Sequence, residues 1–380
     1  MRRILSGIDR LDLAAPRLAG ARVGLMTNPT GIDRHFRPTI DLLNARFNLT
    51  ALFAAEHGIR GDAAAGEALG NWVDPATGVP VYAVYGKTRR LTPEMLDAFD
   101  VFCFDMQDVG ARFFTYLYAL SFAMEECAKA GKPVVVFDRV NPLGGLRAEG
   151  TVLDVRLASY VGMYPLPTRY AMTMGEYARW VRAYLKLDAL DLTVVPLEGW
   201  RRGDVLDALD LPWVAPSPAC ATFHTARAYV GTCVFEGTNL SEGRGTSLPF
   251  ELIGAPWIDP TALERAMARR ALPGLHFRGC WFTPYCSKHA GQRCGGVQMH
   301  ITDRGANVIV GALTLMDEVR RLYPDDFAWV SYTGIDYIID KLLGDDGYRL
   351  GRHDAQSLLA AHAPALAAFM EQRRPFLLYD

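Results

Sequence analysis

Glu56 and His57 stand together at the end of a short apolar run, in Phe53-Ala54-Ala55-Glu56-His57-Gly58-Ile59-Arg60-Gly61. A buried strand reads this way when it delivers charged groups to the mouth of a sheet. Open α/β sheets bind their ligands beyond the carboxyl ends of the strands. Glu56 is therefore expected to be an active-site carboxylate, with His57 and Arg60 beside it. A second charge-rich loop, 234–249, holds Glu236, Asn239, Ser241, Glu242, Arg244 and Thr246 among three glycines. Glycine lets the backbone bend and come close to a ligand, and such a density of donors and acceptors suits hydroxyls, amides and a carboxylate. The competing use of this loop is internal, with its glutamates paired to Arg244.

Carboxylates so placed suit glycoside hydrolysis, in which an acid protonates the leaving oxygen and a second carboxylate or an internal nucleophile completes the reaction. Glu56 is the expected acid. Asp105, Asp108, Glu236 and Glu242 are its candidate partners, structural ion pairs being the other use of each. Other chemistries lack their signatures. The first strand–helix turn, Met26-Thr-Asn-Pro-Thr-Gly31, has no G-x-G-x-x-G for a pyrophosphate, and Gly243-Arg-Gly-Thr-Ser247 lacks the lysine and spacing of a P-loop. No Gly-x-Ser-x-Gly elbow supports a serine hydrolase. Cys280, Cys286, His289, Cys294 and His300 are zinc-ligand types, but they lack the close Cys pair of structural sites. No metal is expected, and Cys280 and Cys286 read as small buried hydrophobes.

The elements that must position these groups alternate in the first 150 residues between apolar runs and helical patterns, the sign of a mostly parallel α/β sheet. Strands are expected at 22–27, 49–55, 79–84, 101–105 and 133–138. Their ends carry Asn28-Pro29-Thr30-Gly31, Glu56-His57-Gly58, Tyr85-Gly86-Lys87, Gln107-Asp108-Val109-Gly110 and Arg139-Val140-Asn141-Pro142. Five polar strand ends would converge on one edge. Thr92-Pro93 opens one helix; Phe113, Leu117, Leu120 and Met124 recur at helical spacing in the next. Arg112, Thr115 and Tyr116 then fall on its first turn as cleft lining. Beyond a boundary near residue 150 an α+β domain is expected. It has a capping box at Thr173–Glu176, strands at 192–195, 228–235, 275–282 and 296–301, and helices from Asp259-Pro260, at 308–322 and at 358–374.

The 380 residues are half hydrophobic and 22% charged, with a formal net charge of −2. That balance argues against a nucleic-acid partner held by a broad basic surface. Arg89-Arg90 and Arg201-Arg202 read as solvated faces. Seven cysteines without compact spacing suit a reducing compartment. No apolar stretch approaches the ~20 residues of a membrane span. No signal peptide is visible at the start, so a cytoplasmic protein is expected, or a periplasmic or secreted one if a leader has been removed.

The chain also resembles the exo-acting β-N-acetylmuramidases of peptidoglycan turnover, nearly end to end. The likeness rests on Gly24-Leu-Met-Thr-Asn-Pro-Thr-Gly31, Glu56-His-Gly-Ile-Arg-Gly61, Phe104-Asp-Met-Gln-Asp-Val-Gly110, Asp138-Arg-Val-Asn-Pro-Leu-Gly144, Phe235-Glu-Gly-Thr-Asn-Leu-Ser-Glu-Gly-Arg-Gly245 and Gly295-Gly-Val-Gln-Met-His300. The resemblance implies a Rossmann-like domain beside a smaller one, with the cleft between them. It also implies release of terminal N-acetylmuramic acid from the non-reducing end of muramyl-glucosamine fragments. Glu56 matches the expected catalytic glutamate; Glu236, Asn239 and Arg244 match the second motif. Ala54-Ala55 replaces the Ser/Pro often found before the glutamate. The lactyl carboxylate of such a sugar calls for a guanidinium, with Arg60, Arg112 and Arg244 as candidates. Asp105 or Asp108 could orient a 2-acetamido group that attacks the anomeric carbon. Gln107, Tyr116, Asp138, Arg139, Asn141 and Glu242 complete the expected substrate-binding set, with no cofactor. The rival readings are a muropeptide-binding protein without turnover and a zinc-dependent hydrolase.

Overall fold

The computed structural model describes residues 3–61, 70–86 and 88–380, and Lys87 of the third strand end lies outside them. Every short apolar run of the first segment is a strand: β1 (Arg22–Thr27), β2 (Asn48–Ala54), β4 (Pro80–Ala83), β5 (Val101–Asp105) and β6 (Val134–Phe137). A two-residue strand, β3 (Trp72–Val73), precedes β4. Alternate residues enter two different cores. Phe53, Phe102, Phe104, Val134 and Val136 pack on one face, while Leu52, Val101, Cys103, Val135 and Phe137 pack on the other. With both faces covered, the strands read as unbroken apolar runs rather than alternating ones.

Beyond residue 150 come β7 (Glu149–Val152), β8 (Pro167–Arg169), β9 (Leu192–Val195), β10 (Leu252–Ala255), β11 (Leu275–Phe282) and β12 (Cys294–Ile301). The main sheet runs β3-β4-β2-β1-β5-β6-β9, parallel throughout except for β3. Strand β9 corrects the sequence reading, which placed 192–195 past a boundary near 150. It pairs in parallel with β6, Val134 opposite Leu192 through Phe137 opposite Val195. The sheet-bearing segment thus extends at least to Val195. An antiparallel sheet, β10-β12-β11, and the β7–β8 pair make up the rest.

The expected strand at 228–235 is a helix, Phe223–Thr232, followed by a 3-10 turn, Cys233–Gly237. Thr222 caps it through the Thr225 amide, and Thr225, Ala226 and residues 228–232 are buried. A helix covered on nearly every side has no polar face, so its period is unreadable and β-branched residues mislead. Gly231 sits so close to the Val308 carbonyl that a Cβ would stand 2.4 Å from its oxygen. One apolar cluster joins Phe53 and Phe104 to Phe235, Ile253, Val297 and Leu313, so the core continues from the parallel sheet into the C-terminal segment. No helix among the described residues is long and apolar enough to cross a membrane.

Candidate active site

Glu56 lies two residues past β2, and the chain turns sharply behind it: His57 and Gly58 both have positive φ, 74° and 75°. A left-handed histidine is uncommon and marks a conformation held by its surroundings. Its ring is buried, and Glu56 is half-buried. The carboxylate accepts hydrogen bonds from Tyr85 Oη to Oε1 (2.8 Å) and from Thr115 Oγ1 to Oε2 (3.0 Å). Thr115 is the N-cap of the helix Tyr116–Lys129, so Glu56 also faces the positive end of a helix dipole. Burial and the Glu56 charge push the Tyr85 phenol far above its ordinary pKa, which keeps it a donor.

Around Glu56 lies a cavity of about 290 Å³, whose lining includes His57, Tyr85, Arg89, Thr115, Tyr116, Tyr160, Tyr229, Glu236 and Arg244. The strand-end loops supply Glu56, Tyr85 and Thr115; the segment after residue 227 supplies Tyr229, Glu236 and Arg244. The walls are aromatic. Tyr160 stacks on Phe122 at 6.1 Å and tilts against Tyr85 at 6.2 Å, while Tyr229 meets Phe113 edge-on at 5.3 Å. Cys220 also lines the space, but burial pushes its thiol up to about 12. It is no nucleophile.

Glu236 sits on the 3-10 turn Cys233–Gly237. Its Oε1 accepts from Arg244 Nη2 (2.7 Å) and Nε (3.2 Å). Arg244 Nε also lies 3.5 Å from Glu242, whose other oxygen is 2.8 Å from Lys288 Nζ. Two carboxylates and one cation of this loop thus balance with Lys288, which comes from the connection between β11 and β12. About a third of the Glu236 side chain (31%) is accessible, but at the wall of a recess rather than at an open surface. Burial pushes its carboxyl above the ordinary range while the Arg244 charge pulls the other way.

Two family descriptions cover almost the whole chain: exo-beta-N-acetylmuramidase NamZ, N-terminal, over residues 23–224, and its C-terminal counterpart over 227–379. The chain belongs to the NamZ exo-β-N-acetylmuramidase family. It is 43% identical over 384 residues to the peptidoglycan beta-N-acetylmuramidase NamZ of Bacillus subtilis strain 168, covering 99% of this chain and 92% of that protein. Crystal structures of two DUF1343 family proteins from Bacteroides fragilis NCTC 9343 share the fold. One matches at TM-score 0.91 and 34% identity, the other at 0.77 and 26%, and both comparisons cover 100% of this chain and 99% of the relative.

Within this NamZ-family cavity the structure gathers Glu56, His57, Tyr116, Glu236 and Arg244 from the residues expected from sequence. Others lie elsewhere. Asp105 is fully buried and held by Arg139 through Nε (2.5 Å) and Nη2 (2.8 Å), with Thr39 donating as well. Asp108 is buried against the Gly110 amide and Tyr170 Oη, and burial raises its carboxyl to about 7. Asp138 accepts from the Arg139 and Gly175 amides, Thr173 and Tyr379. Gln107 donates to the Asp108 and Val140 carbonyls. Asn141 bridges the Met172 carbonyl and the Leu143 amide. These are ties that hold the strand-end loops together.

Arg60 forks onto Asp74 at 2.9 and 3.1 Å. Arg112 is wholly buried, donating to the Thr151, Leu166 and Leu342 carbonyls; burial lowers its pKa to about 10. Asn239 spends both ends of its amide on the backbone at Asp326 and Ala328. Glu242 stands behind Arg244, 1% exposed. Sequence reading missed Tyr85, Tyr160 and Tyr229 as lining. Tyr85 was at a strand end, but no local signal marked the other two. Arg89 was assigned to a solvated face and instead lines the cavity; its neighbour Arg90 pairs outside with Glu125 and Glu126. Arg202, also assigned to the surface, is buried on Glu176. Of the cysteines expected inside, Cys286 is exposed and Cys280 half-exposed. No three His, Cys, Asp or Glu side chains gather to hold a metal ion among the described residues.

Proposed function

We propose that the protein is a glycoside hydrolase that releases terminal β-linked N-acetylmuramic acid from the non-reducing end of peptidoglycan fragments, with Glu56 as general acid/base. The observation that carries this is a carboxylate fixed by Tyr85 and Thr115 at the wall of a sugar-sized aromatic cavity. Family membership and the activity named for the B. subtilis relative support it. Glu56 gives its proton to the glycosidic oxygen as the bond breaks. Glu236, the other carboxyl in the lining among the described residues, is the partner group in place of Asp105 or Asp108, which are spent on internal bonds. Arg244 keeps Glu236 aimed. Glycosidases of this kind work with two carboxyl groups across an oxocarbenium-like transition state. Aromatic walls keep bulk water from the developing charge and give the sugar faces to lie on.

A chromogenic β-N-acetylmuraminide tests the reading. Wild type should release the chromophore, and Glu56→Gln should lower kcat by roughly 10²–10⁴-fold, the contribution of a general acid. Equal rates would remove Glu56 from the reaction. Ligand-induced stabilisation of wild type without any product would instead identify a sugar-binding protein.

A further inference from the structure

We propose that Arg89 is the specificity residue that receives the lactyl carboxylate of the substrate. This rests on the cavity being the muramidase site. The lactyl ether is what separates N-acetylmuramic acid from N-acetylglucosamine, so an enzyme selecting the former needs a cation in its sugar site. Four guanidinium groups compete for that task, and three are already spent. Arg60 is locked on Asp74 and does not line the cavity, and Arg112, wholly buried on three carbonyls, does not line it either. Arg244 lines the cavity, but its charge is matched by Glu236 and Glu242. A further carboxylate brought to it would meet two others.

Arg89 differs in each respect. It lines the cavity, its Cζ lies 4.1 Å from the centroid of the Tyr160 ring, and among the described residues it has no hydrogen bond or ion pair to a carboxylate. A guanidinium laid on an aromatic face keeps its in-plane N–H donors outward, ready for a carboxylate in bidentate fashion. Its platform is also registered with the proposed acid: Tyr160 leans on Tyr85 at 6.2 Å, and Tyr85 donates to Glu56 at 2.8 Å. A carboxylate clamped by Arg89 would thereby fix the sugar ring relative to Glu56. The side chain is exposed at the cavity rim, where a substituent projecting from the ring can reach it.

The test compares a β-N-acetylmuraminide with the matching β-N-acetylglucosaminide, which lacks the lactyl group, in wild type, Arg89→Gln, Arg89→Lys and Arg244→Gln. A lost charge-assisted hydrogen bond corresponds to roughly 10–100-fold. The kcat/KM ratio between the two substrates should fall by about that factor in Arg89→Gln, mostly through KM. It should recover in part in Arg89→Lys and hold in Arg244→Gln. An unchanged ratio in Arg89→Gln, or a collapse confined to Arg244→Gln, overturns the assignment. Calorimetric binding of free N-acetylmuramic acid to Glu56→Gln, with and without Arg89→Gln, separates this from the failure of the enzymatic reading. Arg89-dependent binding without turnover in wild type would sink hydrolysis and leave the lactyl site standing. Binding indifferent to Arg89 would sink the lactyl site.

Discussion

Thr115 occupies the N-cap of the helix Tyr116–Lys129 without capping it; its hydroxyl donates instead to Glu56 Oε2 at 3.0 Å. A residue type that elsewhere in this chain caps its own helix, as Thr173 does for Met174–Tyr184, is here diverted to a carboxylate. Losing a cap ordinarily costs ~1 kcal/mol. Thr115→Ala should therefore leave thermal stability almost untouched while lowering kcat about tenfold. Differential scanning calorimetry beside steady-state kinetics checks both halves. A clear fall in Tm with full activity would return Thr115 to a structural role.

Tyr85 makes the companion bond to Oε1. Tyr85→Phe keeps the ring against Tyr160 and removes only the hydroxyl, so kcat should drop by about one order of magnitude with KM little changed. If KM rises while kcat holds, Tyr85 serves the sugar and not Glu56.

Asp105 and Arg139 form a buried pair, 0% and 9% exposed at their side chains. Removing one charge from such a pair strands the other, at a cost of ~3–5 kcal/mol. Asp105→Asn should accordingly lower the urea midpoint sharply while the surviving folded enzyme keeps its kcat. A kcat loss as large as that of Glu56→Gln, in a stably folded variant, would bring Asp105 into the chemistry.

Arg112 ties β7 and the chain before β8 to the carbonyl of Leu342 in the C-terminal segment. Arg112→Met fills much of the same space but removes three buried hydrogen bonds; the Thr151 and Leu166 carbonyls keep donors in Thr168 Oγ1 and the Leu153 amide, and the Leu342 carbonyl loses its side-chain donor, costing roughly 3 kcal/mol in all. The expected outcome is a lowered denaturation midpoint with an unaltered preference for the muraminide. A selective rise in KM for that substrate would mark Arg112 as its receptor.

Asp108 bears on stability against pH. Burial holds its folded-state pKa at about 7, above the ordinary carboxylate value. Between the two values the unfolded chain has released the proton that the folded chain keeps. Stability from this group is thus full below about pH 4 and lost as pH rises towards 7. Asp108→Asn, which keeps an acceptor for Gly110 and Tyr170, should gain on wild type by roughly 2–4 kcal/mol across that interval. Urea denaturation at pH 4, 5.5 and 7 measures the difference; one that does not vary with pH would show Asp108 ionised in the folded state.

Much of the scaffold was legible in the linear chain. Runs such as Val101–Asp105 and Val134–Phe137 are apolar throughout because each strand is covered on both faces, and short unbroken runs ending in polar turns have few other uses. Glu56 was legible for the same reason: a charge directly after a buried strand lies at the sheet edge. The helix Phe223–Thr232 was not, since burial on nearly all sides erases the polar stripe that reveals a helical period.

Which polar strand-end groups reach the cavity was decided only by the tertiary structure. Asp105, Asp108, Asp138 and Glu56 all follow or end apolar strands, and nothing local separates them. The first is closed off by Arg139, the second by Tyr170 and the third by Tyr379 from the far end of the chain. Glu56 alone among the four lines the cavity. Sequence determined that acids would gather at one edge, because hydrophobic patterning fixes where strands stop. Which acid stays open depends on partners 34 to 241 residues away, and a pairing over that separation exists only once the chain has folded.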